Sequence, residues 1–333
     1  MRNTLRLLLI TLLTGLLLCS YSYAAMKKTQ KPMPTSKGAE HKMKTYYMGR
    51  FAIDLPEDFK LEIQSQTVRY AEVSDFKWKE KDRDKERNAL WAQKIEKIKK
   101  LTPPKIRKQI IIEEKVLKGI GHEARAIAYY GNQYAPNCTY WTILADYGTV
   151  GMWLTLDGED DGLSIKNFTN ILKHYQYGFN DLTEDSFCLN YGRIELPYLE
   201  QESTYARFAG PMEMKLEIDM SETHEVEKVG ILESLAAALA TNFAPGIDVE
   251  KIRGHKRTVA GLKGEELVTR ITADMGPKLY FGWKYNGKED SGEHPEIRIS
   301  IQQAPDGNLD EKIKIWDAAL DSFRPAINVN RNI

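Results

Sequence analysis

The chain has 333 residues, of which 42% are hydrophobic, enough for two ordinary domains with separate cores. Its 47 basic residues balance 47 acidic ones, which argues against a nucleic-acid-binding protein, since that function needs a concentrated basic face. The halves differ, however: residues 25–182 carry 27 basic and 21 acidic residues, and 183–333 carry 18 and 26.

Arg2 and Arg6 flank an apolar run over 7–18, and Ser22-Tyr23-Ala24 follows as a small-x-small site. This predicts a secretory signal peptide over 1–24, cleaved after Ala24, with an apolar run too short for a stable transmembrane anchor. Leu16-Leu17-Leu18-Cys19 has the outline of a lipobox, but Leu18 stands where a small residue is needed. Residues 25–43 are Lys-rich, broken by Pro32 and Pro34 and without hydrophobic period, so they read as a flexible leader. Cys138 and Cys188 survive cleavage into an oxidising compartment, where they are candidates for a disulfide or for two buried thiols.

The first domain is expected over 44–182. Strands are predicted at 49–56, 59–63 and 66–73, then an amphipathic helix over 77–101 on which Trp91, Ile95, Ile98 and Leu101 recur at helical spacing before Pro103-Pro104 stops it. Strand signals follow at 109–117, 124–130, 139–146 and 151–156, and a closing helix over 164–177. The second domain, 183–328, repeats the order. Its strands are predicted at 191–196 and 212–220, its first helix at 226–241, further strands at 257–259, 266–273, 278–285 and 296–302, and its last helix at 309–322. The fold class is therefore α+β, with two tandem domains, each an antiparallel sheet with helices packed on one face.

An internal echo supports duplication. Gly49-Arg50-Phe51-Ala52-Ile53-Asp54-Leu55-Pro56 returns in short form as Gly192-Arg193-Ile194-Glu195-Leu196-Pro197, and Gly121-His122-Glu123-Ala124 returns as Gly264-Glu265-Glu266-Leu267; both pairs are offset by 143 residues.

No catalytic constellation is legible. The sequence lacks a Gly-x-Ser-x-Gly elbow, a Ser-x-x-Lys pair and a phosphate-binding glycine loop, and its six histidines stand singly, without zinc-site spacing. Glu123, Glu265 and Glu266 follow glycine turns at equivalent positions of the two copies, which fits a role in the fold better than acid–base catalysis. The loop Asp157-Gly158-Glu159-Asp160-Asp161-Gly162 opens like a calcium loop, but Phe168 stands where the bidentate Glu belongs. No metal or cofactor is expected. Two surface segments are candidates for binding a partner: Tyr129, Tyr130 and Tyr134 of the aromatic turn, and Asp157, Glu159, Asp160 and Asp161 of the acidic loop.

The signal segment, Tyr47-Met48-Gly49-Arg50-Phe51-Ala52-Ile53-Asp54-Leu55-Pro56, Phe187-Cys188-Leu189-Asn190-Tyr191-Gly192-Arg193-Ile194 and Gly261-Leu262-Lys263-Gly264-Glu265-Glu266, in this order, resemble the two-domain immunity proteins against type VI secretion lipase effectors. The resemblance implies a periplasmic, non-enzymatic protein that binds a cognate α/β-hydrolase-like phospholipase and occludes its active site. The motif residues are fold markers and do not locate the interface. The alternative function is an exported lipid- or ligand-binding envelope module.

Overall fold

Alternating apolar and polar residues give many strands of this protein one buried and one more open face, as in the strand Lys215–Ser221. The computed structural model describes residues 42–79, 81–158, 163–240, 246–274 and 276–327. The expected signal peptide, residues 25–41 of the expected leader, and Glu159, Asp160 and Asp161 lie outside the described residues, and Met43, the expected end of the leader, already opens the first strand.

The chain opens with β1 (Met43–Met48), β2 (Phe51–Pro56), β3 (Lys60–Val68), β4 (Ala71–Lys77) and α1 (Arg83–Lys99). It continues with β5 (Ile111–Leu117), β6 (Glu123–Tyr129), β7 (Thr139–Asp146), β8 (Val150–Gly158), α2 (Leu163–Lys173) and β9 (Tyr175–Tyr177). Then come β10 (Ser186–Cys188), β11 (Gly192–Glu195), β12 (Ser203–Ala209), β13 (Lys215–Ser221) and α3 (Ile231–Ala240). The last elements are β14 (Asp248–Val259), β15 (Leu262–Ala273), β16 (Gly276–Tyr285), β17 (Glu296–Pro305), α4 (Leu309–Ser322) and β18 (Arg324–Pro325).

Twelve strands form one sheet in the order β14-β15-β16-β17-β13-β12-β3-β4-β8-β7-β6-β5. From the central β12–β3 pair outward, each wing runs first, second, sixth, fifth, fourth, third in its own chain order. β12 and β3 pair antiparallel from Ser203↔Thr67 to Ala209↔Lys60, so the two wings share a continuous hydrogen-bond ladder.

Helices cover both faces of each wing, which corrects the expectation of helices on one face. In β6, Ile127 and Tyr129 meet Trp91 and Ile98 of α1. The intervening Ala126 and Ala128 belong instead to the core around Phe168, Ile171 and Leu172 of α2. In β15, Glu265 accepts a bond from the backbone N–H of Leu232 in α3, whereas its neighbour Glu266 accepts one from the indole of Trp316 in α4. Consecutive strand residues point to opposite faces, so the two helices of each wing lie on opposite sides.

Two small sheets, β1-β2-β18 and β10-β11-β9, complete the fold. Tyr46, Met48, Phe51, Ile53 and Leu55 of the β1–β2 hairpin are buried with Phe281, Trp283, Ile299 and Trp316 of the second wing. Phe187, Leu189 and Ile194 of the β10–β11 hairpin are buried with Ile143, Leu154 and Phe168 of the first wing. Each hairpin thus covers the wing encoded by the other half of the chain. With about 1.5–3 kcal/mol for each fully buried large apolar side chain, this exchange is a major part of what holds the halves together.

Several boundaries differ from the predicted ones. The strands expected at 59–63 and 66–73 are re-cut by a turn at Arg69 and Tyr70, both at positive φ, where no glycine or asparagine announces a hairpin. The first helix starts at Arg83, once the Asp82 side chain caps the N–H of Lys85, and not at 77. The helix expected to 177 stops at Lys173, and β14 is far longer than 257–259. The central strand β12 had no counterpart among the predicted elements.

Candidate functional site

The register of the first wing brings both partner-binding candidates to one end of the sheet. Tyr129 is paired with Tyr140, and Tyr140 with Asp157, so the end of β6 and the end of β8 stand at the same end of the sheet with β7 between them. Their residues differ in what they offer. Tyr129 is 7% exposed and belongs to the core under α1, its hydroxyl 3.4 Å from the Thr142 hydroxyl. Tyr130 is half-buried beneath the Arg107 guanidinium, 5.1 Å from its ring centroid. Tyr134 is 85% exposed, in a turn shaped by its N–H donating to Asn132 Oδ1 at 2.9 Å. Asp157 is exposed at the end of β8.

The motif glycine and arginine lie at the seam between the wings. Gly49 has φ +56°, and a Cβ there would come 2.7 Å from Thr204 Oγ1, so only glycine fits this turn without strain. Its N–H and carbonyl exchange bonds with Cys188 at 2.9 and 2.7 Å, joining the two exchanged hairpins. Arg50 donates to both Glu202 oxygens and to the carbonyls of Glu184 and Leu196. A narrow cleft beside it is lined by Arg50, Phe187, Tyr198, Glu202, Thr204 and Met220. The second motif arginine, Arg193, turns inward to Glu195, the Gly178 carbonyl and Gln176. Both arginines hold loops in place.

The carboxylates of the repeat are structural. Glu266 is fully buried and accepts from Arg253, Arg257 and Trp316. Glu123 pairs with Arg87 and Arg125, and neighbouring Asp146, also fully buried, pairs with Arg83 and Arg87. These groups tie α1 and α4 to their wings. Asp75, which sequence reasoning passed over, accepts from the Tyr175 hydroxyl and the N–H groups of Asn190 and Tyr191 at 2.8–3.0 Å, pinning the β10–β11 turn. Burial pushes its carboxyl above the usual carboxylate range.

Glu222, His224 and Asp290 converge although the sequence shows their histidine standing alone. His224 Nδ1 lies 2.7 Å from Asp290 Oδ1 and its Nε2 lies 2.8 Å from Gln201 Nε2, while Glu222 accepts from the Gln201 N–H. The hydrogen bond to Asp290 raises the imidazole above its ordinary value. The group is internally satisfied and ties three loops together. Cys138 and Cys188 are both free thiols, so the disulfide alternative gives way to the unpaired one. Cys138 ends the turn before β7, whereas Cys188 is buried in β10 with Leu182 and Ala326, and burial pushes its thiol up to about 12.

Among curated proteins, none matches the sequence. A chain of the Tle4–Tli4 complex crystal structure is similar in fold, with a TM-score of 0.69 and 17% identity over 86% of this chain and 98% of that one. The apo immunity protein TplEi of the type VI secretion system from Pseudomonas aeruginosa is similar with a TM-score of 0.68 and 16% identity over 86% of this chain and 97% of that one. Its complex with the "L" peptide gives a TM-score of 0.64 at 16% identity, over 86% and 98% of the two chains. Residues 183–327, which hold β10 to β18, match the family Tle cognate immunity protein 4 C-terminal domain. The second half of the chain thus matches the model of the Tle cognate immunity protein 4 C-terminal domain, and the fold it shares with the Tle4–Tli4 chain and TplEi covers 86% of the whole chain.

Proposed function

We propose that this protein is a periplasmic immunity protein that binds its cognate type VI secretion lipase effector and occludes the active site without chemistry of its own. The observation that carries the reading is the family match over residues 183–327. The buried groups of the wings support it: the carboxylates and arginines described above are consumed in holding helices and hairpins, and burial pushes the Cys188 thiol up, which keeps it protonated at neutral pH. Tyr130, Tyr134 and Asp157, with the acidic residues 159–161 beyond it, are the proposed effector contacts. Export by a peptide cleaved after Ala24, with 25–43 as leader, belongs to the same reading.

The two halves, 44–182 and 183–328, are in this reading two copies of one domain. The equal offsets of 143 residues and the identical wing order support duplication. Both halves would then contribute to gripping one target, and their affinities would reinforce each other. The test is periplasmic co-expression of the intact chain, or of fragment 57–197, which keeps one wing with the hairpin that covers it, with the lipase encoded beside it, scoring survival and complex formation. The intact chain is expected to protect near-stoichiometrically and the single wing poorly. Full protection by the single wing would refute the shared grip, and absence of any complex with a lipase would remove the immunity reading.

A further inference from the structure

From the last turn of α1 toward the start of β5 the chain reads Lys97-Ile98-Lys99-Lys100-Leu101-Thr102-Pro103-Pro104-Lys105-Ile106-Arg107-Lys108, six cations without one acid. Pro104 is buried and the Arg107 N–H returns to its carbonyl at 2.8 Å, a turn that anchors the segment and leaves Ile106 73% exposed at its tip. Leu101 is 39% exposed. Lys97, Lys99, Lys100, Lys105, Arg107 and Lys108 are all exposed as well. Among the described residues only Lys99 of the six has a carboxylate partner, Glu96, on its own helix. The segment leads into β5, the outermost strand of the sheet, and the acidic end of β8 lies three strand spacings away, about 14 Å. The cations are therefore not neutralised by Asp157.

We propose that this arc, residues 97–108, docks the protein on an anionic phospholipid surface, with Leu101 and Ile106 entering the headgroup layer and the lysines facing lipid phosphates. Composition separates this occupant from a protein. Protein interfaces are depleted in Lys and centre on buried aromatics and Arg, whereas five of these six cations are Lys and the exposed apolar groups are two isolated aliphatic side chains between them. Lysines flanking aliphatic side chains are the pattern of segments that lie in a membrane interface, drawn by negative surface potential and held by shallow apolar insertion. Arg107, near the end of the arc, lies over the Tyr130 ring and donates to the Pro136 carbonyl, so the arc adjoins one of the proposed effector contacts, and its docking on lipid goes beyond the immunity reading.

The test uses the full chain and vesicle sedimentation, with vesicles of phosphatidylglycerol and phosphatidylethanolamine set against pure phosphatidylcholine. Binding is expected to the anionic vesicles only and to vanish at about 0.5 M NaCl. The variant Lys100→Glu/Lys105→Glu/Lys108→Glu should bind about a hundredfold more weakly. Ile106→Ser should weaken binding at unchanged charge. A charge-matched control, Lys251→Glu/Lys263→Glu/Lys314→Glu, exposed elsewhere, should retain it. Melting curves compare the folding of all variants. No binding to anionic vesicles, or equal loss in both triple variants, overturns the proposal. So does loss of lipase binding by the arc variant in vesicle-free solution without loss of vesicle binding, which would make the arc an effector contact. Inhibition of lipase on a soluble short-chain ester is read separately, so failure of the immunity reading leaves the vesicle result standing.

Discussion

Arg50 and Glu202, 152 positions apart in the chain, form a two-point ion pair, with Nε 2.8 Å from Oε2 and Nη2 2.7 Å from Oε1. The side chains are only 11% and 8% exposed, so removing one partner leaves a charge stranded. Arg50→Ala is expected to lower stability by about 3–5 kcal/mol, measured as the shift in urea unfolding, whereas the double substitution Arg50→Met/Glu202→Leu should cost less than the single one. A double variant as unstable as the sum of its parts would show that the pair does not act as a unit.

The two glycines of the second echo meet the same obstacle. A Cβ on Gly121 would come 2.2 Å from the Asp146 carbonyl oxygen, and one on Gly264 would come 2.5 Å from that of Lys284. Gly121 also has φ +52°. Gly264→Ala should cost about 1–3 kcal/mol and Gly121→Ala more, because backbone must shift in both and the second is strained as well. Thermal melting of the two variants checks the order.

Exchange of the hairpins dictates where the chain can be cut. A fragment spanning 57–197 keeps the first wing with the hairpin that covers it, while a fragment spanning 44–182 carries the wrong hairpin and lacks the right one. The former is expected to unfold cooperatively in urea and the latter to remain without fixed packing. Indistinguishable behaviour of the two fragments would mean that the hairpins do not decide the stability of the wings.

Acid stability should follow three aspartates. Burial pushes the Asp54 and Asp317 carboxyls up, but hydrogen bonds from Arg324 and Thr45 to the first, and from Arg253 and Arg257 to the second, outweigh it and hold both below the usual range. A folded value below the unfolded one stabilises above about pH 4, and this contribution is lost as the pH falls through the folded value. Asp75 is shifted the other way, so its protonation in acid adds stability. Asp54→Asn and Asp317→Asn should each flatten the fall of the urea midpoint between about pH 5 and pH 3, by about 1 kcal/mol given partial solvent screening. Asp75→Asn should steepen it.

Strand alternation made most of the sheet legible, and the equal offsets pointed to matched halves. Face assignment was not legible, because a strand such as β6, with Ala126 and Ile127 both fully buried, shows no polar side from which to infer a bare one. The exchange was hidden for another reason. Gly49-Arg50-Phe51 encodes a turn and a strand, but nothing local says that Phe51 stacks on Phe323 at 5.1 Å and not on its own half. Tyr129 and Tyr134 look alike as a pair of turn aromatics, yet the register buries one and exposes the other. The lysines of 97–108 were legible as a run but blended into the charged face of a helix that in fact ends at Lys99.

The β1–β2 hairpin also sets the order of events when the chain folds. Its closing contacts are the pairing of β2 with β18 and the bonds from Arg324 to Asp54, 270 positions further on. A chain emerging N-terminus first therefore carries Met48, Phe51, Ile53 and Leu55 as an apolar strip with no floor until α4 and β18 arrive. Contacts of such sequence separation make folding slow and leave its early species prone to aggregation, so the β1–β2 hairpin is the last element to become safe.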